Sequence, residues 1–394
     1  MERRTMLPIS QKANQQQARL HNLNLVFRTI YESGTTSRIE IARRTHLTRT
    51  TVSDMVAELI ESGLVEEIGT SVSSGGKPSI LLQLVADSRY LIGLNLAQDK
   101  FIGAVINLRG EIKETCEVPA ENSDGELALQ RVYELLDHLT HSRWQPLIGI
   151  GVGTPGLVNT RQGVVIQAVN LEWKNLPLGN LLSQRYGLPV SVLNDSQAAA
   201  IGEFAYGGHR ARRNLIVVNI SQGVGAGILI EGKLFQGDGG GAGEIGHVPV
   251  RGNQRLCRCG RAGCLETLTS VKAILQRAQE ARGEALGLPE ICADFQRGDP
   301  QTRQIVQEAG QAMGEALGGL VAAFDIETIL LIGEMTCFGE AWLETVRVAM
   351  RRSALEPMTT PVRVEFGKFD NDACILGAAA HLLLEDYSLL FSQP

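Results

Sequence analysis

His247, Cys257, Cys259 and Cys264 form a His-x9-Cys-x-Cys-x4-Cys run. One imidazole and three thiolates complete a tetrahedral shell around zinc, and Gly260 and Gly263 free the backbone to turn between the thiolates. Four protein ligands leave no position open for water, so the expected Zn2+ is structural and holds a loop rather than activating a nucleophile. The alternative is a reduced cluster without metal. The seven cysteines are otherwise scattered and odd in number, which argues against a disulfide-stapled secreted fold.

Asn194 and Asp195 follow the apolar run PVSVL and precede a helix-forming stretch from about Ser196. That places them at a strand end facing a cleft. Glu244 and His247 stand in GEIGH and Glu266 comes just past the last cysteine, so a metal there would preorganise them. Carboxylates and amides suit a small polyol, because each hydroxyl that leaves water has to be paired.

A third set lies at the N-terminus. Residues 1–50 hold nine lysines and arginines against three acids, a net +6 in a chain whose total is −6, leaving −12 for the remainder. Contact with nucleic acid therefore belongs at this end. Leu20, Leu23, Val26, Phe27 and Ile30 recur at helical spacing up to Gly34. Ser37, with Glu40 three residues on, caps a short helix through Thr45, and Thr48 caps another. Ile41, Ala42, Leu47, Val52, Met55 and Val56 let these two helices pack steeply, which resembles a helix-turn-helix.

The candidate DNA contacts are Ser37, Arg38, Thr48, Arg49, Thr50, Thr51 and Ser53, types able to meet phosphates and base edges. LVEEIG, SVSSGGKP and SILLQLV then read as strand, loop, strand: a wing, with Lys77 beside Pro78 placed to reach a minor groove. The alternative is a helical hairpin with a solvated polar face and an ordinary turn at Lys77. A winged helix-turn-helix over 1–86 and a second domain over 87–394 are expected.

A chain of 394 residues with 44% hydrophobic and 20% charged residues supports more than one globular core. No basic-then-apolar leader opens it, and the apolar stretch near 326–332 is too short to span a bilayer. A cytoplasmic protein is expected. From Tyr90 strands alternate with helices, and NLIVVNISQGVGAGILIEGKLF repeats the form of the first hairpin, YLIGLNLAQDKFIGAVINLRGEI. An α/β domain of two similar lobes around a cleft follows.

IGVGTPGLV, VLNDSQAAAIGE, ISQGVGAGI, GEIGH and CRCGRAGCLE stand over residues 148–266 in the order of the ROK family of repressors, uncharacterised reading frames and sugar kinases. With the winged helix included, the chain resembles its repressor branch. The resemblance implies an actin-like, hexokinase-like two-lobed fold and a structural zinc. It implies Asn194, Asp195, Glu244, His247 and Glu266 as sugar ligands, and a loop at Gly156 that lies against the sugar. In the family's kinases the aspartate at the Asp195 position is the general base. Any one of these residues alone could be a helix cap or a surface carboxylate; five in motif order point to a sugar site.

The nucleotide half departs from that pattern in part: the second loop, ISQGVGAGI, keeps Gly223, Gly225 and Gly227, though a glycine-rich strand turn by itself is weak evidence for phosphate. Where the kinases carry an Asp-x-Gly-Gly-Thr-like phosphate turn, this chain reads Asn95, Leu96, Ala97, Gln98 and Asp99, which sets a carboxylate against incoming phosphates. Glu334 and Met335 replace the glycine-rich adenosine turn. The expectation is a repressor, not an enzyme, that binds operator DNA as a homodimer and is released by a sugar. The alternatives are an active sugar kinase with an accessory DNA domain and a repressor governed by a protein partner.

Overall fold

A computed structural model describes residues 15–71, 78–97, 99–120, 123–370, 372–385 and 387–391. Two units emerge: the residues up to Arg89 together with those from Glu385 onward, and Tyr90–Leu384. The sequence border at 86/87 lies beside this division. That the C-terminal turn groups with the first unit had no signal in the sequence.

In the first unit, α1 (Gln15–Ser33) buries Leu23, Val26, Phe27 and Ile30, the face its periodicity marks, while Leu20 stays exposed. β1 (Thr35–Ser37) leads into α2 (Arg38–Thr45), where Ser37 Oγ accepts from the Glu40 N–H at 3.3 Å. His46 ends α2 in the left-handed region. Thr48 caps α3 (Arg49–Glu61) through the Thr51 N–H at 3.1 Å. β2 (Val65–Thr70) and β3 (Ile80–Leu84) close the unit, with β3 central and antiparallel to both β1 and β2. The turn Tyr387–Leu390 buries Tyr387 and Leu390.

The second unit runs β4 (Tyr90–Leu96), β5 (Lys100–Asn107), β6 (Ile112–Pro119), α4 (Gly125–Thr140) and β7 (Leu147–Thr154). A small sheet of β8 (Leu157–Asn159), β9 (Val164–Ala168) and β10 (Trp173–Leu176) follows, then α5 (Leu178–Tyr186), β11 (Val190–Asn194) and α6 (Asp195–Tyr206). The second half begins with β12 (Leu215–Ile220), β13 (Val224–Ile230) and β14 (Lys233–Leu234). Helices α7 (Glu266–Thr269), α8 (Val271–Arg282), α9 (Leu288–Arg297) and α10 (Pro300–Phe324) precede β15 (Thr328–Ile332). The chain then makes α11 (Gly339–Ser353), α12 (Glu356–Thr359), β16 (Arg363–Phe366) and α13 (Asp372–Glu385).

The two five-stranded sheets share one connectivity, β11-β7-β4-β5-β6 and β16-β15-β12-β13-β14. In each, three antiparallel strands come first and two parallel strands are added on the far side of the first. The near-continuous apolar runs of β4 and β15 suit strands covered on both faces. Separate apolar clusters fill the two lobes, and a third joins α6 and α13 to β12 and β15. Among the described residues no helix is long and apolar enough to cross a membrane.

Cys292 on α9 and Cys337 in the turn Glu334–Phe338 form a disulfide that their separation of 45 residues did not suggest. α9 packs beside that turn, with Phe295 edge-on to Phe338 at 5.4 Å, and tertiary packing alone brings the thiols together.

Candidate functional site

Separate elements bring the sugar candidates to one place. Asn194 ends β11 and caps α6: its Oδ1 accepts from the Ser196 and Gln197 N–H groups at 3.0 and 3.2 Å. Its Nδ2 donates to the Gly156 carbonyl at 3.0 Å, tying the helix start to the loop after β7. Gly156 has φ +89°, and a Cβ there would run into the Gln167 carbonyl, so only glycine lets this loop approach. Asp195 accepts from the Ser196 N–H at 2.7 Å and its hydroxyl at 3.2 Å. Glu244 precedes the tight turn Ile245–His247, and Glu266 Oε2 accepts from the Val224 N–H at 3.2 Å. All six, Gly156 and His247 included, line one cleft of about 720 Å³, a size typical of small-molecule sites.

Three carboxylates crowd this end of the cleft. Burial, opposed by hydrogen bonds from Ser196 and helped by the charge of Glu266, pushes Asp195 up to about 6. Burial together with Asp195 and Glu266 pushes Glu244 up to about 7. Desolvated carboxylates with few donors around them are acceptors waiting for hydroxyl partners.

The metal-ligating residues meet as a cluster. His247 Nδ1 lies 3.7 Å from Cys257 Sγ, Cys259 and Cys264 sulfurs are 3.6 Å apart, and all four ligand atoms fall within 4.8 Å of one another. Zn–S bonds of about 2.3 Å at tetrahedral angles separate sulfurs by roughly 3.7 Å, so this donor set can hold such an ion. Burial and the neighbouring Cys259 and Cys257 push the Cys264 thiol up to about 12, so a metal there displaces a proton. His247 turns its Nε2 toward Glu244 at 3.9 Å. One imidazole thus serves the cluster through one nitrogen and faces the cleft with the other.

The opposite end of the cleft is lined by Asn95, Ala97, Asp99, Asn219, Glu334 and Asp370. Burial holds the Glu334 carboxyl above its usual range, against a 3.2 Å hydrogen bond from Gln222 and with Asp99 and Asp370 adding repulsion. Asp370 Oδ1 accepts from the Gly333 N–H at 2.7 Å. Three acids, Asp99, Glu334 and Asp370, thus line the cleft together with Lys100 and the turn carrying Gly223 and Gly225, and their charge opposes an incoming phosphate.

On the winged-helix unit the candidates divide. Arg49, Thr50 and Ser53 are exposed on the outer face of α3. Thr48 and Thr51 pair their hydroxyls at 2.8 Å, and Ser37 is committed to capping α2, so these three shape helix starts. Arg38 pairs with Glu67 of β2 at 2.9 Å and braces the unit internally. Lys77 lies outside the described residues. Arg43 and Arg44, not singled out in the sequence, are exposed near the end of α2, and Arg43 holds Glu40 through two hydrogen bonds. In the cleft, sequence reasoning missed Gln167, Asn170 and Arg258. Gln167 and Asn170 are isolated polar residues outside any motif, whereas Arg258 stands inside CRCGRAGCLE, where only the cysteines and Glu266 were read for chemistry.

A duplicated sheet around a sugar-sized cleft, with a helix-turn-helix unit ahead of it, defines a sugar-kinase-type domain joined to a DNA-reading module. The chain belongs to the ROK family, whose description matches residues 91–385, and the MarR family matches residues 24–67. A xylose repressor from Caldicellulosiruptor bescii is 30% identical over 380 residues, 92% of this chain and 95% of that protein. The crystal structure of a ROK family transcriptional regulator, a homologue of the Escherichia coli Mlc protein, superposes with TM-score 0.82 at 27% identity, over 95% of this chain and 100% of the other. A ROK family glucokinase from Streptomyces griseus, in complex with glucose and AMPPNP, superposes with TM-score 0.67 at 27% identity, over 74% of this chain and 98% of the other.

Proposed function

We propose that this protein is a cytoplasmic transcriptional repressor of carbohydrate-utilisation genes, released from its operator by a sugar bound in the cleft. The observation that carries this reading is the contrast between the two ends of that cleft. One end gathers Gly156, Asn194, Asp195, Glu244, His247 and Glu266; the other carries the acids Asp99, Glu334 and Asp370. Asp195, Glu244 and Glu266 accept from sugar hydroxyls, and Asn194 keeps a second amide hydrogen for the ligand while fixing the Gly156 loop. His247, Cys257, Cys259 and Cys264 hold a structural Zn2+, which keeps Glu244, His247 and Glu266 in register. A thermal-shift comparison tests the contrast: D-xylose or D-glucose should raise the melting temperature, and ATP should not. Sugar phosphorylation at an ordinary enzymatic rate would instead establish the kinase reading.

DNA contact falls to Arg49, Thr50 and Ser53, and, on the sequence reading, to Lys77. Arg49→Ala is expected to weaken operator binding, lower its salt slope by about one and leave sugar binding unchanged. Titration of operator duplex at several salt concentrations measures this, and unchanged affinity would move the recognition surface elsewhere. One short recognition helix reads too few base pairs for useful specificity, so the protein acts as a homodimer on a two-fold operator. Sedimentation of the complex should give two chains per duplex; one chain at saturation would refute the pairing.

A further inference from the structure

We infer that α13 and the aromatic turn after it carry the sugar signal to the winged helix, with Tyr387 and Phe391 as positioning residues. This rests on the sugar-release reading above. The chain passes between its two units twice, at Arg89–Tyr90 and after Leu384. The first passage enters β4, which is hydrogen-bonded to β5 on one side and β7 on the other. A strand held on both edges shifts only by breaking ladder bonds, so the signal is assigned to the second passage.

The start of α13 is built into the sugar cleft. Cys374 of α13 lines it together with Asn194 and Asp195 at the start of α6, and Asp370, ahead of α13, lines its other end. Glu203, fully buried near the end of α6, accepts from the Lys368 and Phe369 N–H groups at 2.7 and 2.8 Å, just ahead of α13. Helix α6 begins at Asp195, so one helix carries the ligand at its start and the clamp near its end. The backbones of α6 and α13 touch: a Cβ on Gly377 would collide with the Ala198 carbonyl, and one on Gly202 with the Ala373 carbonyl. Packed this closely, the two helices move as one body. The Asp370 bond to Gly333 ties the same segment to the turn after β15 in the other lobe. Lobe closure around a sugar therefore acts on the start of α13.

The far end of α13 leads into the core of the DNA-binding unit. Phe27 of α1 is fully buried, with its ring 5.2 Å from Tyr387 and 5.8 Å from Phe391, and Tyr31 lies 6.0 Å from Tyr387. Helix α1 packs on α2 and α3, the helix-turn-helix itself. A close-packed aromatic cluster switches between arrangements rather than deforming smoothly. A pull on Tyr387 thus re-poses α1 and the reading helix.

The experiment uses full-length protein, D-xylose, D-glucose and N-acetyl-D-glucosamine as probes, and a duplex the protein selects from a random library. Wild type should show about a 5- to 150-fold loss of duplex affinity with the sugar that binds. Tyr387→Ala should reduce that ratio to below about twofold while sugar affinity stays within about twofold, and Tyr387→Phe should restore the ratio. Hydrogen exchange supplies a readout independent of variant folding. Sugar should alter exchange at 23–31 and 372–385 of wild type, and duplex should alter it at 195–206. A sugar that binds while exchange at 23–31 stays unchanged, or a full ratio in Tyr387→Ala, overturns the coupling and leaves the effector reading standing. If none of the probes binds, the effector reading fails instead. The duplex arm still decides the coupling: altered exchange at 195–206 supports it, and none refutes it.

Discussion

Cys257→Ser or Cys264→Ser is expected to release one zinc per chain and to lower the melting temperature of the large unit by roughly 6–12 °C. The magnitude follows from a loss of about 3 kcal/mol, because binding energy at a structural site is folding energy. Both sulfurs are buried within ligand distance of the other donors, so losing either thiolate leaves the cluster with three of its four ligands. The effect should extend to the ligand. Cys264 is two residues before Glu266, and His247 contributes to both cluster and cleft, so the same variants should weaken sugar binding. Metal analysis of protein prepared without chelator, with calorimetry of wild type and variants, checks this. Stoichiometric protein containing no zinc would remove the claim.

Asp195→Asn is expected to give a repressor that binds its operator normally but that sugar no longer releases. A hydrogen bond to a charged acceptor contributes about 1.5–3 kcal/mol, so sugar affinity should fall about 10- to 150-fold. Asparagine keeps an oxygen for the Ser196 N–H and hydroxyl that Asp195 now accepts, so α6 still starts correctly. The pH dependence gives a second signature. Burial raises Asp195 to about 6, so the free protein takes up a proton there as pH falls through that value. Sugar that needs the ionised acceptor should then bind more weakly below pH 6, by at most about tenfold per unit, and Asp195→Asn should lack that limb. The same raised value means ionising Asp195 costs stability as pH rises from the usual carboxylate range to about 6. Calorimetric titration from pH 5 to 8 measures both effects. Wild-type affinity without this limb, or Asp195→Asn still released by sugar, would refute the role.

Much of this was legible in residue order because it depends on local chemistry. The His and Cys spacing identified the cluster, since ligand types within a short loop can meet without help from the rest of the fold. Ser37 and Thr48 marked the starts of α2 and α3, since a cap is a contact over three residues. The repeated hairpin form anticipated two lobes, which the matching strand orders bear out.

What the tertiary structure decided are relations between distant segments. It set Gly156 against Asn194, tied Arg38 to Glu67, and gathered Asp99, Glu334 and Asp370 at one end of the cleft. It also packed the Tyr387–Phe391 turn against Phe27, near the opposite end of the chain. Periodicity and motif spacing report which face of an element is apolar and which residues lie within a turn of one another. They do not report which faces meet, because that is settled by how layers pack around a shared core.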